Sequence, residues 1–269
     1  MVRSVRAPIG VFDSGIGGLT VAHEIMRQMP HESVLYFGDT ARMPYGPKSP
    51  ETVRRYSHEI VAFLLDQGVK AIVVACNTAT AHALGSLRES LPIPVVGVIE
   101  PGARAATRAT RGGLIGVIGT AGTIQSGAYE RAIRAIDPDL RVFVRSCPLF
   151  APLVEEGWTD HEAARLIARE YLAPMIAADV DTLVLGCTHY PLLKELLAAE
   201  LGPAVLLIDS AAETAAETAR VLESRGLAAP EDADPAYRFI ASDDPLQFLQ
   251  LGQRFLGDAI EGVEVRTLG

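Results

Sequence analysis

Two aliphatic runs in this chain end in the same way. Ala71-Ile72-Val73-Val74-Ala75 stops at Cys76-Asn77-Thr78-Ala79, and Thr182-Leu183-Val184-Leu185-Gly186 stops at Cys187-Thr188-His189-Tyr190. A short apolar run cut off by small polar groups is the pattern of a strand buried on both faces of a parallel sheet. In open α/β sheets, ligands bind beyond the carboxyl ends of such strands. Two thiols delivered alike by two parts of one chain predict a single site with a cysteine on each side.

The rest of the chain has room for that arrangement. Its 269 residues allow one large domain or two of ordinary size. Hydrophobic residues make up 49% and charged residues 21%, the balance of an ordinary globular protein. A formal net charge of −9 argues against a nucleic-acid partner, which needs a basic stripe. No apolar run is long enough for a membrane span. The basic start Met1 to Arg6 is not followed by a signal-type apolar segment, because Gly10 and Asp13 interrupt it. A cytoplasmic location is therefore expected. In that compartment Cys76, Cys147 and Cys187 are poor candidates for disulfides. Without a CxxC or Cys/His ligand spacing, no metal site is predicted.

Strand and helix patterns alternate along the chain. Strands are expected at 9–12, 33–37, 71–75 and 95–99, with Glu100-Pro101 marking the exit from the last. Helices fall between them. Ser49-Pro50 provides a cap and a first-turn proline for one helix, which runs to about Gln67. From Gly113 the pattern restarts, and Ile115-Gly116-Val117 echoes Ile9-Gly10-Val11 at a distance of 106 residues. Cys187 follows Cys76 at 111 residues. A nearly constant offset is an internal repeat. In this second unit a helix over 124–136, a strand over 140–145 and a long helix capped by Asp160 are expected, then the Cys187 strand and one at 205–208. The predicted architecture is α/β, with two pseudo-symmetric doubly wound lobes of mainly parallel sheet and the site at their interface. Residues 1–98 plus 210–269 form the lobe that carries Cys76, and 99–209 form the lobe that carries Cys187. The last strand patterns, 237–241 and 263–265, have no counterpart in the second unit and are expected to widen the first sheet.

Polar residues cluster at the same strand ends. Asp13-Ser14-Gly15-Ile16-Gly17-Gly18 joins a strand to a helix and offers backbone N–H groups suited to a carboxylate or phosphate. Its GxGG spacing, led by an acid, is not the dinucleotide fingerprint. The stiff loop at 40–47 presents Tyr45 and nearby backbone groups to a ligand, or merely turns a corner. Asp39, Asn77, Thr78, Thr120, Thr123, Glu155, Thr188 and His189 complete the set. Bland readings exist for several of them. Cys147 reads as a small buried hydrophobe, and Asp39 as a partner for Arg42. Glu155 could form a solvated pair with Glu156, and His189 could be a capping or core histidine. The other histidines have no motif around them.

With these motifs in view, the chain resembles the glutamate racemases of the aspartate/glutamate racemase family. The resemblance rests on Asp-Ser-Gly-Ile-Gly-Gly (13–18), Gly-Asp-Thr-Ala-Arg-Met-Pro-Tyr-Gly (38–46) and Ala-Cys-Asn-Thr-Ala (75–79). It continues through Pro-Leu-Val-Glu-Glu-Gly (152–157), Leu-Gly-Cys-Thr-His-Tyr-Pro (185–191) and a tail ending in Arg-Phe-Leu-Gly (254–257). It implies cofactor-independent interconversion of L- and D-glutamate for peptidoglycan. Cys76 would take the proton from D-glutamate and Cys187 from L-glutamate, with Asp13 and His189 as their assistants and Glu155 near the second. Implied substrate contacts are Asp13, Ser14, Tyr45, Gly46, Asn77, Thr78, Thr188 and His189. Thr120 and Thr123, clustered with them at a strand end, join the same set. The resemblance also implies pairing of two copies, in a mode that differs among members.

The chemistry fits the residues on its own terms. Racemisation removes a proton from one face of a carbanion and returns one to the other, which calls for two like acid–base groups on opposite sides. A thiol, with an ordinary pKa of about 8.5, serves in either form near neutrality. Aspartate or hydantoin racemases share the two-cysteine plan and are the nearest rivals. A pyridoxal-phosphate enzyme is disfavoured, because Lys48, Lys70 and Lys194 do not sit where a Schiff base is expected. A non-catalytic amino-acid-binding protein on a two-lobed scaffold is the rival of another class.

Overall fold

The computed structural model describes residues 4–268, so the first half of the basic start lies outside the described residues. The first unit runs β1 (Ile9–Asp13), α1 (Leu19–Gln28), β2 (Val34–Gly38), α2 (Pro50–Asp66), β3 (Ala71–Val74), α3 (Asn77–Ser90) and β4 (Val95–Gly97). The second runs α4 (Ile99–Ala109), β5 (Leu114–Gly119), α5 (Ala121–Gln125), α6 (Ala128–Ile136), β6 (Arg141–Ser146), α7 (Phe150–Glu155), α8 (Glu162–Ala177), β7 (Thr182–Gly186), α9 (Lys194–Leu201) and β8 (Leu206–Ile208). The chain then returns through α10 (Ser210–Ser224), β9 (Tyr237–Ala241), α11 (Pro245–Leu256) and β10 (Glu264–Val265).

The repeat is visible in the topology. One sheet has the order β10-β9-β2-β1-β3-β4 and the other β6-β5-β7-β8. Stripped of its two late strands, the first sheet has the strand order of the second, and the pairings are parallel. Even the register repeats: Ile9 stands opposite Ala71, and Ile115 opposite Thr182. The offsets of 106 and 111 residues are therefore carried by matched strands in separate sheets. β9 and β10 widen the first sheet, as the sequence pattern predicts.

Alternation along the strands divides the apolar side chains into three layers. Ile9, Val11, Val73, Ile115, Val117 and Val184 face one continuous central core with α1, α4 and α10. Phe12, Ile72 and Val74 face outward onto α2 and α3. Leu114, Ile118 and Leu185 face the opposite outer layer, beneath α8 and α9. At the edge of the second sheet, β6 is only half-buried and carries Arg141 and Arg145, charges that discourage pairing with another strand.

Three local expectations change. The strand at 95–99 stops at Gly97, and a helix begins at Ile99. Pro101 falls in its first turn, where the missing N–H is not needed, so the proline opens a helix rather than ending a strand. The helix over 124–136 breaks at Gly127, whose φ of 65° lies in the left-handed region and divides α5 from α6. The cap of α8 is His161, whose Nδ1 accepts from Ala163 N at 3.1 Å, while Asp160 pairs with Arg165. Ser49 caps α2 as expected, accepting from Thr52 N.

Among the described residues no helix is long and apolar enough to cross a membrane. Lys70 is wholly buried and paired with Glu32, itself 4% exposed, whose Oε1 accepts from Ala229 N at 2.7 Å. Lys70→Met strands that carboxylate in the core and should cost about 3–5 kcal/mol in urea denaturation. Adding Glu32→Gln should recover part of the loss.

Candidate active site

The carboxyl ends of β1, β2 and β3 meet those of β5 and β7 around a small enclosed cavity of about 40 Å³. That is room for a few waters. Ser14, Tyr45, Gly46, Cys76, Asn77 and Thr78 line it from the first sheet. Thr120, Glu155, Cys187, Thr188 and His189 line it from the second. Asp13 and Thr123, expected as contacts, stand just behind the wall. Gly15, Met43, Pro44 and Ala151 also line the cavity and were not singled out by their chemistry.

Each thiol has its own polar company. Cys76 is 5% exposed and sits at the N-cap of α3, where Sγ accepts from Ala79 N at 3.4 Å and faces Ser14 Oγ at 3.7 Å. Burial, followed by the nearby Asp13 carboxylate, pushes its pKa up to about 12, against the pull of those two hydrogen bonds. Cys76 is therefore a neutral thiol near neutrality. Cys187 is 6% exposed, with Sγ 3.7 Å from His189 Nδ1. The other ring nitrogen, Nε2, lies 2.9 Å from Glu155 Oε1, close enough for charge attraction but not aligned as a hydrogen bond. Burial opposes charge on this imidazole, yet Cys187 and Glu155 outweigh it and lift its pKa to about 10. An imidazolium thus stands beside Cys187, while Cys76 has an acid nearby. The two thiols therefore have unlike electrostatic neighbours.

The two sheets are joined at the same place by polar contacts. Asp13 is fully buried, and burial raises its pKa although His189 and backbone N–H groups act the other way. Its Oδ2 accepts from Gly15 N at 3.0 Å, and its Oδ1 accepts from Thr188 Oγ1 at 3.5 Å across the interface. Thr78, Thr120 and Thr123 form a triangle of hydroxyls with edges of 2.8, 3.0 and 3.2 Å. Gly122 N donates to Gly46 O at 2.9 Å. Gly17 permits the close approach, because a Cβ there would lie 2.5 Å from Thr188 Oγ1 and 2.7 Å from His189 Nδ1.

Asp39 proves to be a buried anchor. It accepts from Arg42 Nε, from Ser242 Oγ at 3.0 Å and from the Tyr45 hydroxyl, and so pins the loop that presents Tyr45. Arg42 reaches on to Glu59. Ser242 directly follows β9, so the returning end of the chain helps hold this loop. Cys147 is wholly buried outside the cavity, as its bland reading predicts, and burial pushes its thiol up to about 12.

The charged His189 has a measurable consequence. A pKa raised on folding adds stability that is complete below the unfolded value of about 6.5 and is lost as pH rises through about 10. An NMR titration should find the ring protonated at pH 8, and Glu155→Gln should lower its midpoint.

Comparison with known proteins fits this geometry. A family model described as Asp/Glu/Hydantoin racemase matches residues 17–218. A glutamate racemase from Geobacter metallireducens is 56% identical over 255 residues, covering 95% of this chain and 94% of that protein. The crystal structure of glutamate racemase isoform RacE1 from Bacillus anthracis superposes with a TM-score of 0.92 at 46% identity, covering 98% of this chain and 97% of that one. A glutamate racemase from Francisella tularensis, solved with D-glutamate, gives a TM-score of 0.91 at 39% identity and covers 98% of both chains. With two buried thiols converging from matched sheets, and a sequence match across most of its length, this chain belongs to the Asp/Glu/Hydantoin racemase family.

Proposed function

We propose that this protein interconverts L- and D-glutamate by two-base proton transfer between Cys187 and Cys76, without a cofactor. The observation that carries the reading is the pair of buried thiols, one from each sheet, in opposite electrostatic settings around one cavity. Glutamate is favoured over aspartate by the high identity to glutamate racemases across nearly the whole chain.

In the direction from L-glutamate, Cys187 as thiolate, accompanied by the His189 imidazolium, removes the α-proton. The Cα–H bond breaks, its electron pair stays on the carbanion, and an S–H bond forms. The neutral Cys76 thiol then releases its proton to the opposite face, and its sulfur keeps the bonding pair. The product is D-glutamate, with the two thiols exchanged in protonation state. The reverse reaction starts from that exchanged state. Another turnover in the same direction requires a proton to return from the Cys187 side to the Cys76 side, and Asp13 and His189 are the acid–base groups next to each thiol. Asp13 also meets the substrate ammonium across Ser14. Asn77, Thr78, Thr120, Thr188 and backbone N–H groups around Ser14 and Gly46 take the two carboxylates, and Thr123 supports the threonine pair. The site lies between the two sheets with both thiols buried, and exclusion of water there strengthens every charge interaction within.

In this reading the first lobe comprises 1–98 plus 210–269 and the second 99–209. The protein acts in the cytoplasm, as a monomer or a homodimer, and supplies D-glutamate for peptidoglycan.

Circular dichroism tests the activity directly. The signal of either glutamate enantiomer should decay to zero with reduced protein and no added cofactor. Cys76→Ala and Cys187→Ala should each lower the rate by at least about a thousandfold, or roughly 4 kcal/mol of barrier. Decay with aspartate alone moves the substrate and keeps the mechanism. Full activity in either cysteine variant ends the two-base reading.

A further inference from the structure

Tyr129 does not border the cavity, and no motif surrounds it. Its ring is 2% exposed, and its hydroxyl donates to Asn77 Oδ1 at 2.8 Å. The bond runs from α6, which follows the second sheet's β5, to the first residue of α3, which follows the first sheet's β3. It therefore exists only when these two helices are together.

An amide has two ends with opposite roles. With Oδ1 taken by Tyr129, Nδ2 of Asn77, a residue of the cavity wall, is buried and has no hydrogen-bond partner. Leaving such a donor dry is unfavourable, and a ligand carboxylate relieves it. Burial raises the pKa of the Tyr129 hydroxyl, and Ser210, at the start of α10, lies beside it and acts the other way. The hydroxyl's own hydrogen goes to Oδ1, which fixes the carbonyl end of the Asn77 amide and leaves its NH₂ group without a protein partner. The ring is also clamped in place. A Cβ at Gly186 would lie 3.2 Å from it, and one at Gly102 would lie 3.4 Å from its hydroxyl.

We propose that Tyr129 is a positioning residue for substrate recognition, holding the Asn77 amide with its N–H donors turned toward a substrate carboxylate. The proposal deepens the reading of the cavity as a glutamate site and rests on it. The amide contact is made in both ground and transition states, so its loss appears in binding more than in the chemical step.

The test is a double-mutant cycle. Tyr129→Phe should raise KM for both enantiomers about 5- to 10-fold, with kcat within about twofold of the parent. In an Asn77→Ala background the same change should alter KM less than about twofold, because the group it positions is gone. The side-chain NH₂ resonances of Asn77, assigned by their loss in Asn77→Ala, should shift in Tyr129→Phe even without substrate. Ser210→Ala gives a milder version, about 2- to 3-fold in KM, should Tyr129→Phe fold poorly. Additive KM effects, or amide resonances that do not move, overturn the proposal. Should the wild type leave glutamate unchanged while the amide resonances still shift, the glutamate reading fails and the positioning of Asn77 stands.

Discussion

The hydrogen bonds that cross between the two sheets at their carboxyl ends are what make a single site out of two half-sites. Thr188 to Asp13, Thr78 to Thr120, Gly122 to Gly46 and Tyr129 to Asn77 each tie a group on one side to a group on the other. The central core packs the two sheets together, and these contacts close the strand ends beside it. With them, both thiols are more than nine-tenths buried and share one small volume. Buried polar bonds of this kind contribute modest net stability but strongly specify geometry, because each broken one leaves an unpaired group in a dry place.

Dryness also separates the two thiols electrically. The same burial that raises Cys76 would disfavour charge on His189, but that ring has a sulfur on one side and a carboxylate on the other. The matched scaffold thus carries mismatched neighbours. An acid stands near one sulfur and an imidazole with a raised pKa near the other. The shared central core keeps the sheets in one body, while the polar contacts lie at the strand ends, where ligands bind.

Much of this was legible along the chain. Strands ending in Cys76 and Cys187, the restart at Gly113 and the constant offset led to two matched sheets, and the register of Ile9 with Ala71 and Ile115 with Thr182 follows from them. Errors were local and concerned boundaries. Pro101 reads as a stop in a linear scan, but in the first turn of a helix it is well accommodated. Gly127 sits inside an apolar helical rhythm, and nothing in that rhythm reports a positive φ. At α8, Asp160 and His161 are both able to cap, and the backbone geometry chose the second. Asp39 was ambiguous for a different reason: its pairing with Arg42 is visible at short range, whereas Tyr45 and Ser242 converge on it from the loop and the distant tail.

The two cysteines, their delivery from strand ends and the twofold plan were written in short-range patterns, since periodicity and turn chemistry act over a few residues. The raised pKa values of Cys76 and His189, the anchoring of the Tyr45 loop and the free end of the Asn77 amide depend on neighbours brought in from elsewhere in the chain. Tyr129 lies 52 residues from the amide it holds, and Thr188 lies 175 from Asp13. Burial and through-space charge have no counterpart in local sequence, and they come into being only when the two sheets close on one another.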